Sequence, residues 1–194
     1  MQEKPPKTVT LVLGGVRSGK SRYAQQLADR FERVVFIATA RIGDEEMRAK
    51  VRRHQAERPP EWLTVEEPLE LAQALEQHGP SCDVLLVDCL TIFAANLMED
   101  EGEDGTRMGG VTSREATHEA RIEQLCNALQ SVPCSVVLVS NEVGSGVVPP
   151  YPLGRRFRDV LGELNQRVAR VADDVLLLVA GLPLALKGHV EVDL

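Results

Sequence analysis

Eight residues near the N-terminus, Gly14-Gly15-Val16-Arg17-Ser18-Gly19-Lys20-Ser21, fit the pattern G-x-x-x-x-G-K-[ST] and leave few folds open. They follow the apolar stretch Val9–Leu13, which reads as a strand, and they open Lys20–Phe31, which has helical spacing. In that setting glycines let successive backbone N–H groups curl round phosphate oxygens, and the following helix presents its positive dipole end. The pattern predicts a phosphate-binding loop for ATP or GTP. Lys20 would stand on the β/γ-phosphates, and the Ser21 hydroxyl would ligate Mg²⁺. An ordinary Gly-rich strand-to-helix turn is the competing reading, and the strand–loop–helix context weighs against it.

Four more apolar runs, Val34–Ala38, Val84–Val87, Val136–Ser140 and Val175–Val179, are nearly continuous rather than alternating. That pattern belongs to parallel strands covered on both faces. Segments with helical spacing lie between them: Asp44–Glu57, Leu69–His78, Leu90–Met98, Arg114–Gln130 and Arg155–Ala172. Strands alternating with helices predict right-handed βαβ units and a doubly wound α/β fold. At 194 residues the chain is expected to form one domain, 1–194, with 1–8 flexible and the acidic, Gly-rich stretch 99–112 a mobile surface loop. Gly144–Gly154, with three prolines, should be an ordered turn or lid, and Gly188–Leu194 a short edge strand.

Charge and cysteine usage narrow the function classes. A net charge of -7 argues against a broad nucleic-acid surface, which would need a basic patch. Basic clusters remain at Arg48–Arg58 and at Arg155, Arg156 and Arg158, enough for a local phosphate pocket. Cys82, Cys89, Cys126 and Cys134 form no C-x-x-C pair and are expected as free, mostly buried thiols, which suits a reducing compartment. The longest apolar run, Val175–Leu186, is broken by Gly181 and Pro183 and is too short to span a bilayer, so a cytoplasmic protein is expected.

Three positions carry further chemistry. Asp88 ends the run Val84–Val87, where a Walker-B carboxylate would hold Mg²⁺ or its water shell. It could equally cap the helix starting at Leu90, and the neighbouring phosphate loop favours the metal role. Glu142 is open between a general base, a residue orienting a switch-like loop, and an anchor for the turn at Gly144. His54 sits in the basic segment, as a solvated surface residue or as a nucleophile. An imidazole nitrogen there could attack a nucleotide α-phosphate, and the surrounding cations would favour the neutral, attacking form.

The blocks GGVRSGKSRYA (Gly14–Ala24), IATA (Ile37–Ala40), EEMRAKVRRHQAERP with Trp62, VDCLTIFAANL (Val87–Leu97), VSNEVGSGVVP (Val139–Pro149) and Leu153–Lys187 follow in an order found in one family. The chain resembles, over nearly its whole length, the bifunctional adenosylcobinamide kinases/adenosylcobinamide-phosphate guanylyltransferases of cobalamin biosynthesis. The resemblance implies phosphorylation of adenosylcobinamide by ATP or GTP. Transfer of GMP from GTP through a guanylyl-histidine would then give adenosylcobinamide-GDP and pyrophosphate. It matches His54 to the family's histidine, although Arg53 stands where some relatives carry a second histidine. It places Ala38, Thr39, Ala40 and Arg58 in the nucleotide site and makes Glu66 a candidate for reading guanine. A RecA-like sheet core and a homotrimer are also implied. A plain P-loop small-molecule kinase, and a nucleotide-dependent switch protein, remain the alternatives.

Overall fold

The computed structural model describes residues 7–41, 59–101 and 118–189. His54, Arg58, the helix expected over Asp44–Glu57 and loop positions 102–112 lie outside them. The described chain runs β1 (Val9–Gly14), α1 (Lys20–Ala28), β2 (Val34–Ala38), β3 (Leu63–Glu66), α2 (Leu71–His78), β4 (Val84–Asp88), α3 (Leu90–Glu101), α4 (His118–Ser131), β5 (Ser135–Asn141), α5 (Pro152–Val171), β6 (Asp174–Val179) and β7 (Leu182–Lys187). The strands form one seven-stranded sheet in the order β3-β2-β4-β5-β1-β6-β7, all parallel except β7. This is the single, mostly parallel α/β domain that the alternation of apolar runs predicts.

The period-two geometry of strands divides the core between two faces. Leu11 and Leu13 point to one side, where α2 through α5 supply Leu75, Phe93, Leu125, Leu161 and Val168. Val12 points to the other, where Ala24 and Ala28 of α1 meet Phe36, Trp62 and Leu86. Alanines on α1 bring that helix close to the sheet, which sets the phosphate loop tightly on the strand tips. Cys82 and Cys134 are buried with their Sγ atoms 3.8 Å apart, Cys126 is buried and Cys89 half-buried, and all four are free thiols.

Several expectations need correction. β3 was not expected: it is four residues long and half-exposed, so it lacks a continuous apolar signal. A strand at Leu182–Lys187 was not expected either: Ala180 (φ 53°) and Gly181 (φ 83°) make a two-residue turn that folds β7 back on β6, while positions 190–194 of the edge strand expected over Gly188–Leu194 lie outside the described residues. The apolar run Val175–Leu186 is therefore a hairpin. Helix α3 continues through Glu99 and Asp100, which were expected in a loop; Glu99 pairs with Arg41 at 3.6 Å and Asp100 with Arg121 at 3.7 Å. Helix α5 starts at Pro152 inside the expected irregular stretch, since a proline at the first helical position gives up only an N–H that would have no partner there. Helix α2 begins two residues late because the Glu67 carboxylate accepts from the N–H groups of Leu69 (3.0 Å) and Glu70 (2.8 Å), capping its entry.

Candidate active site at the carboxyl edge of the sheet

Strand register brings Gly14, Ala38, Glu66, Asp88 and Asn141 to one edge of the sheet. The chain crosses over β1 between β5 and β6, so β1 stands where the winding reverses, the position at which open α/β sheets bind ligands. The loop leaving β1 is held from both sides. Gly14 O accepts from Glu142 N at 3.0 Å, and Ser18 O accepts from Gly181 N, in the hairpin turn, at 2.9 Å. A Cβ on Gly14 would lie 2.6 Å from Leu178 O, so the strand end admits only glycine. Arg17 (φ 57°) and Gly19 (φ 96°) take left-handed backbone, which turns neighbouring N–H groups toward a common centre.

Lys20 opens α1 and is buried, its Nζ donating to Gly15 O at 2.6 Å. Burial lowers its pKa, while the negative charge of Asp88 opposes the shift. The ammonium therefore lies in reach of the β4 tip, two strands or about 10 Å from β1. Ser18 Oγ is buried without a hydrogen-bond partner among the described residues, and Ser21 is half-buried in the first turn of α1. Gly15, Val16 and Arg17 are exposed on the loop crest. Burial, and then the charge of Asp88, raise the Cys89 thiol to about 11, which keeps it protonated and poorly nucleophilic near neutral pH.

The β2 end of the edge is braced by side chains. Thr39 is fully buried; its Oγ1 donates to Cys89 O at 2.7 Å and accepts from Cys89 N at 2.9 Å. Asn96, on α3, donates to Thr39 O (2.7 Å) and Pro68 O (3.0 Å). The same device holds β5. Asn141 N donates to Thr91 Oγ1 at 2.8 Å, Asn165 Nδ2 donates to Asn141 O at 3.0 Å, and Ser140 Oγ donates to Asn165 Oδ1 at 2.6 Å. Thr91, Asn96 and Asn165 carried no expectation from sequence. A polar residue at a buried helical position was the available signal.

The expected residues do not all converge. Gly14 to Ser21 form one loop at the tip of β1, and Asp88, two strands away, lies within electrostatic reach of Lys20. Ala38, Thr39 and Ala40 stand three strands from β1, about 14 Å, and exposed Glu66 stands four strands away, about 19 Å. Of the three roles open to Glu142, the observed contact is the turn anchor, its Oε1 accepting from Gly144 N at 2.5 Å. Among the described residues no group of three His, Cys, Asp or Glu could hold a metal, and no helix is long and apolar enough to cross a membrane.

A mostly parallel sheet whose central strand runs through a glycine-rich loop into a helix opening with Lys-Ser defines a P-loop, RecA-like nucleotide-using domain. Solved structures bear this out at the level of fold. A prototypical ATPase of the type III secretion system of pathogenic bacteria aligns with TM-score 0.55 at 12% identity, over 92% of this chain and 56% of its own. The assembled ATPase EscN of enteropathogenic E. coli, with its stalk EscO, gives 0.55 at 13%, over 88% and 42%. The chain thus spans about half of those proteins. Residues 10–186 match the cobinamide kinase / cobinamide phosphate guanyltransferase family, and the chain belongs to it. It is 45% identical over 180 residues to the bifunctional adenosylcobalamin biosynthesis protein CobP of Pseudomonas aeruginosa, covering 92% of this chain and 97% of that one. It is 40% identical over 178 residues to CobU of Escherichia coli K12, covering 91% and 98%.

Proposed function

We propose that this chain runs both reactions of its family from the edge just described. The P-loop, Gly14 to Ser21, holds the triphosphate of ATP or GTP. The aminopropanol hydroxyl of adenosylcobinamide then attacks the γ-phosphorus, its proton leaving and the nucleoside diphosphate departing. In the second reaction a ring nitrogen of His54 attacks the α-phosphorus of GTP, forming an N–P bond and releasing pyrophosphate. A phosphate oxygen of the phosphorylated corrinoid then displaces the histidine, giving adenosylcobinamide-GDP. The observation that carries this reading is the buried Lys20 ammonium, its Nζ donating to Gly15 O within a glycine-rich loop that opens a helix.

The donor set fits Mg²⁺ brought in with the nucleotide. Ser21 and Asp88 would hold it, as one hydroxyl and one carboxylate suit an ion that takes its other ligands from phosphates and water. When bound it neutralises charge building on the phosphates. Ala38, Thr39 and Ala40 contribute to the nucleotide site through the strand tip that Thr39 fixes, and Arg58 stabilises the phosphate carried by His54. Glu66, exposed at the end of the edge strand β3, accepts from the N1–H and amine of a guanine bound apart from the P-loop. The enzyme works as a cytoplasmic homotrimer.

Incubation with Mg²⁺ and α-³²P-GTP should leave label on the denatured protein through an acid-labile, base-stable bond, and His54→Ala should abolish it while sparing phosphorylation of adenosylcobinamide. Absence of label in the wild-type protein, with no pyrophosphate released, would reduce the chain to a P-loop kinase without a covalent step.

A further inference from the structure

A slot of about 470 Å³ opens between α3 and the first turns of α5. Its walls are Ala95 and Met98 on one helix and Tyr151, Leu153 and Phe157 on or just before the other, with Glu99 and Arg156 also lining it. Tyr151 and Leu153 are 59% and 58% exposed and present apolar surface at the mouth of the slot. The slot lies near the chemistry already described. Ala95 is one helical turn beyond Thr91, Thr91 accepts from Asn141 N, and Asn141 stands in register beside Gly14. Summing one turn, one hydrogen-bonded contact and one strand spacing puts Ala95 about 15 Å from the start of the P-loop.

We infer that this slot docks the corrin macrocycle of the substrate, an inference that rests on the function proposed above. The chemistry of the walls and of the ligand correspond. A corrin is broad and flat, with apolar faces and a fringe of amide side chains. Phe157 and Tyr151 offer aromatic surface to such a face, and Met98 adapts to an irregular contour. Glu99 can accept from amide N–H groups and Arg156 can donate to amide carbonyls at the fringe. The volume is that of an ordinary small-ligand cleft, below what the whole substrate needs. It therefore takes one flank of the ring and leaves the aminopropanol arm outside, directed along α3 toward the P-loop. The two helices of the walls follow β4 and β5 in the chain, and β5 is the strand paired with β1, so docking the ring also sets the arm's length of reach.

The test uses full-length protein and adenosylcobinamide. Equilibrium dialysis should show the corrinoid Kd raised at least about tenfold by Ala95→Trp, which fills the slot, and about threefold by the exposed substitution Leu153→Ser. Covalent labelling by α-³²P-GTP should persist in both variants, as it requires the folded nucleotide site but no corrinoid. An unchanged corrinoid Kd in both variants would overturn the assignment. A change in oligomeric mass with unchanged Kd would also overturn it and give the slot to a second copy of the chain. Wild-type protein that neither binds nor phosphorylates adenosylcobinamide would sink the functional reading itself, a result distinct from failure of the slot alone.

Discussion

The two ends of the active edge are braced by different means. At β1 the backbone does the work: Glu142 N and Gly181 N donate to carbonyls of the P-loop, and Gly14 packs against Leu178 O with no room for a side chain. At β2 and β4 side chains do it: Thr39 grips both polar groups of Cys89, and Asn96 closes over Thr39. A backbone brace is indifferent to most side chains but intolerant at its glycines. A side-chain brace depends on each hydroxyl and amide, because a buried partner left unmatched costs about 1–3 kcal/mol.

Gly14→Ala breaks the first brace most severely. The new Cβ would meet Leu178 O and Ser18 Oγ at 2.6 and 2.5 Å, so the loop must leave its seat. We expect triphosphate affinity to fall by about 10²-fold or more and stability by about 2–3 kcal/mol, read by nucleotide titration and urea melts. A variant with wild-type affinity would show that the loop is not seated by this contact.

Thr39→Val keeps the volume and removes both bonds to Cys89. Stability should drop by about 2 kcal/mol in denaturant melts, while triphosphate affinity falls much less than in Gly14→Ala. Equal damage to affinity and stability would erase the distinction between the two ends.

Lys20→Met gives the smallest stability effect, of opposite sign to its effect on catalysis. Burial lowers the folded pKa of Lys20 below its ordinary value of 10.5. The unfolded chain thus holds that proton more tightly, and the charged form burdens the nucleotide-free fold at neutral pH. The burden lifts as pH rises through the folded pKa toward 10.5. The nucleotide-free Tm of Lys20→Met should exceed wild type by about 2 °C at pH 7, and the gap should narrow on the alkaline side. Phosphoryl transfer should be lost. A lower Tm for the variant would mean that the bond to Gly15 O outweighs desolvation.

The same contrast explains what was legible in the sequence. The P-loop frame could be read because its demands are local: a glycine where no Cβ fits, then Lys-Ser in the next helical turn. The five central strands could be read because each is buried on both faces. The bracing contacts of Thr39, Asn96 and Asn165 could not, since their partners lie 50, 57 and 24 residues away and nothing local marks them. The edges β3 and β7 were missed because half-exposed strands carry a weak pattern, and the hairpin turn at Ala180–Gly181 looked like a simple interruption. Asp88 was legible as a tip residue because an apolar run that ends in a carboxylate has few other places to put it.

Helix α5 has a mechanical consequence. Asn165 pins it to Ser140 and Asn141, and about 20 Å of helix separates that pin from Pro152. The arrangement is a lever with its fulcrum beside the strand that touches Gly14. A tilt of about 5° about Asn165 would carry the far end through roughly 1.7 Å while shifting the fulcrum hardly at all. With a ring docked as inferred above, such gearing would let the outer arm conform to a bulky guest without jarring the phosphate loop.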